Sequence, residues 1–163
     1  MSQQEQHHFN IQPMTQAEAE TIARWQYEPP YDFYNAVNDA DDLAELLDPA
    51  ARGNAYYSLT SPAGELVGFY QITAQEESVT LGLGLRPDWT GQGWGERFVR
   101  QGLTFALEQY HPIVVRLAVA AFNRRAIRVY ERLGFQPVQS YRQQTNGGVY
   151  EFVAMEYRPQ EGV

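Results

Sequence analysis

Apolar and polar positions follow two different periods along this chain, and the two meet around residue 90. Val79, Leu81, Leu83 and Leu85 are apolar, and Thr80, Gly82 and Gly84 between them are small. That is the period-2 pattern of a strand with one buried face and one nearly bare face. Further on, Val99, Gly102, Leu103, Ala106, Leu107 and Tyr110 recur at i, i+3, i+4, i+7, i+8 and i+11, with Glu96, Arg97, Arg100, Gln101, Thr104, Glu108 and Gln109 on the complementary positions. This spacing predicts a helix of about four turns lying on a sheet. Thr90-Gly91-Gln92-Gly93-Trp94-Gly95 joins the two.

The rest of the chain reads in the same way. Phe9 to Met14 alternates weakly as a short first strand. Thr15-Gln16-Ala17-Glu18 is a capping box, so a helix starts there and runs to about Gln26, ahead of Pro29-Pro30. Asp41-Asp42 opens a second helix with Leu43, Leu46 and Leu47 on one side and Asp48-Pro49 as its stop. Ala55–Thr60 and Glu65–Ile72 form a hairpin through Ser61-Pro62-Ala63-Gly64, and Gln75-Glu76-Glu77 leads into the strand at Val79. Ile113 to Ala120 is a buried strand and, as the second strand of a β-helix-β crossover, should run parallel to the first. Asn123 caps a helix with Ala126, Ile127, Tyr130 and Leu133 on one face and Gly134 beyond its end. Phe135–Gln144 and Val149–Tyr157 form a last hairpin around Asn146-Gly147-Gly148.

Composition narrows what such a chain can do. Its 163 residues fit a single domain, 1–163, with residues 1–8 and 159–163 as flexible tails. There is no cysteine, which excludes disulfides, thiolate metal sites and cysteine nucleophiles. No apolar run approaches the ~18 residues of a membrane span, and the N-terminus has no signal-peptide core, so a cytoplasmic location with no membrane partner is expected. A formal net charge of −8 argues against nucleic acid and mildly favours a cationic partner. His7, His8 and His111 have no metal-ligand spacing and read as surface residues; no metal is expected.

A strand, a glycine turn and a helix N-terminus make an anion site when backbone N–H groups converge there. The same glycines also serve a tight turn that needs positive φ, and this stretch alone does not separate the two. Asn123 and Tyr130 fall at the end of the neighbouring parallel strand, seven residues apart and on one side of their helix. Taken singly, Asn123 reads as a helix cap and Tyr130 as a core aromatic.

Taken together, the order resembles the GNAT superfamily of acyl-CoA-dependent N-acetyltransferases. Gly93-Trp94-Gly95 matches the small positions of the family's Arg/Gln-x-x-Gly-x-Gly/Ala signature. Asn123, Ala126, Tyr130 and Gly134-Phe135 match its Asn-x-x-Ala-x-x-x-Tyr-x-x-x-Gly-Phe pattern. Thr90 departs, standing where the family usually has Arg or Gln. The resemblance implies an α+β fold: a mostly antiparallel central sheet with one parallel strand pair splayed at the coenzyme site, flanked by about four helices. It implies acetyl-CoA as co-substrate, with the pyrophosphate on backbone N–H groups from Thr90 and Gly91 through Gln92, Gly93, Trp94 and Gly95. Main-chain groups of Leu83 and Leu85 would hold the pantetheine arm, with room left beside it by Gly82 and Gly84, and Asn123 would stand close by. Tyr130 would be the catalytic acid that protonates the leaving thiolate. Glu76 and Glu77 are candidates for the general base but read more simply as solvated turn residues, so no base is assigned.

The acceptor should enter from the other side. Trp25, Tyr27, Tyr31, Phe33 and Tyr34 crowd around the double proline, either as an aromatic wall for that acceptor or as rings that plug the end of the core. Tyr141 and Tyr150 could add to it. The implied acceptor is a small-molecule, peptide or protein amine. A homodimer through the edge of the last hairpin fits the family. The alternative is a non-catalytic acyl-CoA sensor or interaction module. A third reading is a nucleotide-phosphate binder of another fold.

Overall fold

β1 (Asn10–Pro13), β2 (Tyr56–Thr60), β3 (Leu66–Gln75), β4 (Ser78–Leu85), β5 (Val114–Ala120), β6 (Gln136–Thr145) and β7 (Gly148–Tyr157) form one sheet in the order β1-β2-β3-β4-β5-β7-β6. The protein is described here from a computed structural model covering residues 9–145 and 148–159. Every neighbouring pair is antiparallel except β4 and β5, which run parallel as the crossover rule requires.

Among the described residues there are five helices: α1 (Gln16–Ala23), α2 (Ala40–Leu47), α3 (Pro49–Arg52), α4 (Gly95–Tyr110) and α5 (Arg124–Arg132). The expected count was about four, and the addition is the single turn α3. Asp48-Pro49 stops α2 as expected, since that helix ends at Leu47 with Asp48 as its C-cap. Pro49 also occupies the first turn of α3, where a missing N–H costs nothing, and the Asp48 carboxylate accepts from the Ala50 N–H.

The capping box of α1 forms as expected: Glu18 N–H donates to Thr15 Oγ1 and Thr15 N–H to Glu18 Oε1. The helix ends at Ala23, three residues earlier than its pattern suggested, because the Arg24 and Trp25 amides bond back three residues and tighten the last turn. α2 begins one residue before Asp41, and its cap is Asp39, whose carboxylate accepts from the Asp41 and Asp42 amides. The turn expected at Asn146-Gly147 and the tails at 1–8 and 160–163 lie outside the described residues, as do His7 and His8. His111 is exposed, as expected.

The period-2 and period-3.6 stripes meet in the main core, where Tyr70, Ile72, Leu81, Phe98, Leu103, Val115 and Met155 are buried. A smaller core on the opposite face of the sheet packs Ile22, Leu46 and Tyr56 against Trp25 and Phe69. α4 is pinned by Tyr70 of β3. Its ring stacks on Phe98, 5.1 Å between centroids, and its hydroxyl donates to the Phe98 carbonyl at 2.6 Å.

Candidate functional site

Parallel pairing of β4 with β5 covers only Ser78–Thr80 against Val114–Arg116. Both strands continue beyond it, β4 to Leu85 along β3 and β5 to Ala120 along β7. The two therefore part, leaving a wedge. The Arg86 amide donates to Val67 on the β3 side, and strand alternation then turns the backbone groups of Leu81, Leu83 and Leu85 toward the wedge. A main-chain edge without a strand partner is a docking strip for an extended amide-bearing ligand. One position on it has a partner: Tyr27 Oη donates to the Leu85 carbonyl at 2.7 Å.

At the end of β4 the chain turns through Pro87–Trp89 into α4. Gly91 and Gly93 have φ of +70° and +85°, so the positive-φ reading of these glycines holds. A Cβ on Gly93 would meet nothing within 4 Å, so that glycine faces open space. Its backbone requirement and an anion cradle coexist here. α4 has no side-chain cap at its start, which leaves its first N–H groups available beside the turn. Thr90 Oγ1 donates to the Pro87 carbonyl at 2.6 Å and is thus spent within the turn. Gln92 is exposed and lies outside the cavity wall. Trp94 also lies outside it, with its indole behind the turn, 4.9 Å from Trp89 and 5.9 Å from Phe9 between ring centroids.

A cavity of about 780 Å³ occupies the wedge and extends under the α1–α2 connection. Leu83, Leu85, Thr90, Gly91, Gly93, Gly95, Asn123 and Tyr130 all border it, although they come from three separate stretches of sequence. Asn123 does cap α5, accepting from the Ala126 N–H, and its Nδ2 also donates to Tyr34 Oη at 3.1 Å. Tyr130 packs on Phe135, yet its hydroxyl has no hydrogen-bond partner among the described residues. Burial, with a smaller contribution from Tyr34, pushes the Tyr130 phenol up, so its proton stays on at neutral pH.

Trp25, Tyr27, Tyr31 and Tyr34 border the same cavity. The aromatic segment is both a wall and a plug. Phe33 turns away from the cavity wall and packs on Tyr150 at 4.5 Å, with Phe122 and Phe152 beside it, while Tyr141 stacks on Phe152. Gly82 and Gly84 border the cavity, so there is room beside them, but the bare face of β4 is partly covered. Phe69 and Gln71, their register partners on β3, lie over them; a Cβ on Gly84 would fall within 2.1 Å of the Phe69 ring. The glycines thus seat the Phe69 ring, which becomes part of the cavity floor.

Glu76 and Glu77 are exposed at the opposite end of β4, roughly 25 Å from the glycine turn at ~3.3 Å per residue. They are turn residues. The sequence marked Asp42 only as a helix-opening carboxylate and did not single out Asp39 or Arg125, yet all three border the cavity. Burial and the carboxylates of Asp39, Glu45 and Asp41 raise the Asp42 carboxyl above its usual range. The Asp42 backbone N–H and the Thr145 hydroxyl hold Asp39 below it. The cavity is therefore polarised, with carboxylates under α2 and Arg125 at the glycine turn. One local sign was available for Arg125: α5 opens with two arginines and no acid in its first turn, against its own dipole.

Residues 8–136 match the family model for the acetyltransferase (GNAT) domain. A mycothiol acetyltransferase from Streptomyces coelicolor is 38% identical over 103 residues, 60% of this chain and 31% of that protein. One from Salinispora tropica is 32% identical over 102 residues, 59% of this chain and 33% of that protein. The chain thus spans about a third of the length of the curated relatives it matches. Among solved structures, a spermidine N-acetyltransferase chimera from Vibrio cholerae superposes with a TM-score of 0.76 at 18% identity, covering 92% of this chain and 95% of that one. The Vibrio cholerae enzyme in complex with CoA and spermine superposes with a TM-score of 0.74 at 17% identity and the same coverage. At such identities the likeness is one of fold. No group of three His, Cys, Asp or Glu side chains suited to a metal occurs among the described residues, and no described helix is long and apolar enough to cross a membrane.

Proposed function

The chain belongs to the GNAT acetyltransferase family, and from that membership we propose that it moves the acetyl group of acetyl-CoA to the amine of a small molecule by direct attack. One observation carries the reading: the unpaired edge of β4 runs into a glycine turn at a helix N-terminus, with the free Tyr130 hydroxyl in the same cavity.

The residues present fit acetyl-CoA. Leu83 and Leu81 would offer main-chain groups to the pantetheine amides, and the backbone amides from Gly91 to Gly95 would hold the pyrophosphate. Leu85 joins them where Tyr27 yields its carbonyl. A β4 N–H directed into the wedge polarises the thioester carbonyl and stabilises the charge that builds on its oxygen as nitrogen attacks. Tyr130 is the catalytic acid: the carbon–sulfur electrons leave on sulfur, and the phenol gives its proton there. Burial keeps the proton on the phenol until charge develops on sulfur, at the cost of a weaker acid, and the tyrosinate left behind takes its proton back from solvent. The amine needs no strong base if it enters as the minor neutral form and loses its second proton to water.

The acceptor we assign is a small amine with positive charge. Asp39 and Asp42 border that end of the cavity, aromatic rings of Tyr31, Tyr34 and Trp25 can face a cation, and the relative solved with spermine supports the class. The test is a thiol-release assay with acetyl-CoA over a panel of mono-, di- and polyamines, amino sugars and peptides, read with mass spectrometry of the products. Acetylated di- or polyamine is the expected result. Saturable CoA binding with no product from any amine would replace the enzyme with a coenzyme-binding module.

A further inference from the structure

Thr90 cannot reach a ligand anion with its hydroxyl while that group is bonded to the Pro87 carbonyl, so the glycine turn offers backbone donors but no side-chain cation of its own. A cation does stand over the turn. Arg125 Nη1 lies 3.2 Å from the point where a Cβ on Gly91 would be, an approach that glycine permits. The guanidinium carbon is 4.6 Å from the centroid of the Tyr31 ring. Such a cation–π contact holds the charge in place without a carboxylate.

Arg125 has no carboxylate partner among the described residues, whereas Arg132, the other arginine in the cavity wall, is paired with Glu96 at 3.2 Å. It also sits in the first turn of α5, where the helix dipole disfavours a cation. An unpaired guanidinium in an unfavourable field, held by an aromatic ring beside a positive-φ glycine turn and an uncapped helix start, is arranged for an anion that arrives later.

We propose that Arg125 is the side-chain ligand of the phosphate anion at the glycine turn, and that Tyr31 holds it there. This rests on the acetyl-CoA reading above and deepens it. It assigns Arg125 to the pyrophosphate rather than to the ribose phosphate, because the Gly91 turn is where the guanidinium points. It also gives Tyr31 a positioning role, tying the aromatic segment to donor binding.

The experiment measures dissociation constants by titration calorimetry for CoA and dephospho-CoA, which keeps the pyrophosphate and lacks the ribose phosphate. Wild type, Arg125→Ala, Arg125→Lys, Tyr31→Phe and Tyr31→Leu are compared at two salt concentrations. Arg125→Ala should weaken both ligands by a similar factor, about 5- to 50-fold for one partly exposed charge-assisted contact. Arg125→Lys should recover part of the loss, and the salt dependence should flatten in Arg125→Ala. Tyr31→Phe should bind as wild type and Tyr31→Leu several-fold more weakly. Arg125 is exposed, and unliganded melting curves check that each variant folds. Unchanged affinity in Arg125→Ala overturns the proposal, and so does a loss confined to CoA. If wild type binds neither ligand, the acetyl-CoA reading fails and the proposal falls with it; wild-type binding with an unaffected Arg125→Ala refutes this proposal alone.

Discussion

Gly102→Ala isolates how the site is held in place. On an exposed helix this change would stabilise by about 0.8–1 kcal/mol, since alanine is the better helix former. Here Gly102 is buried on α4 against Tyr70. A Cβ would stand 2.7, 2.9 and 3.1 Å from Cε1, Cζ and Cδ1 of that ring. The ring has no free space to yield into: Tyr70 is 0% exposed and stacked on Phe98. Its shift would strain or break the hydroxyl bond to the Phe98 carbonyl. Overpacking costs about 1–3 kcal/mol, and a buried hydroxyl left without its acceptor costs about 1–3 more. After the helix gain is subtracted, a net loss of about 3 kcal/mol is expected, which lowers Tm by roughly 6–12 °C in a chain of this size. Urea titration should show a lower midpoint at unchanged slope. In a Tyr70→Leu background the alanine penalty should fall below about 1 kcal/mol, because the obstructing ring is gone. Gly102→Ala with stability at or above wild type, or an equal penalty in both backgrounds, would refute the steric account.

Tyr130→Phe should lower kcat by about 100-fold or more while CoA affinity stays within about twofold, since the phenol acts on the leaving sulfur; kcat within threefold of wild type removes it from that role. Tyr27, Tyr56, Tyr70 and Tyr130 all have phenols raised by burial, and Tyr57, beside Tyr110, is pushed up to about 12 by burial first. A raised phenol keeps its proton in the folded state while the unfolded chain ionises near pH 10. Stability is therefore lost as pH rises above 10, by about 1.4 kcal/mol per pH unit for each fully shifted tyrosine. The chain has no lysine to obscure this, and denaturant midpoints from pH 8.5 to 11 should fall steeply past 10; a flat profile would contradict the burial of these rings. Asp39→Ala removes the cap of α2 and should cost about 1 kcal/mol at pH 7. Because Asp39 is held below its usual value, that contribution is present above pH 3.8 and lost as pH falls through the lower folded value. Urea titrations of both proteins at pH 7 and pH 3 should show the difference shrinking in acid.

The elements were legible in sequence because their causes are local. The stripe from Val99 to Tyr110, the alternation from Val79 to Leu85, the capping box at Thr15 and Asn123 as cap each involve residues within about a dozen positions. The crossover rule then made β4 and β5 parallel without any long-range information, and Tyr130 and the glycine turn fell on one cavity because both follow the ends of those strands. Where local signals were ambiguous they misplaced the end of α1 by less than a turn and missed the single turn α3 that Pro49 opens.

The acceptor side could not be read that way. Tyr27 bonds to Leu85 across 58 residues and Asn123 to Tyr34 across 89, and neither contact leaves a period in the sequence. Phe69 over Gly84 depends on strand register, which alternation alone does not set. Arg125 is set apart from the other arginines only by the fold, which lays it on Tyr31 beside Gly91. Local pattern determines which backbone turns become helix, strand and cap, because those choices are made by neighbours in the chain. The wedge, its polarity and its aromatic wall are decided only when the sheet closes and brings side chains from distant segments to one place.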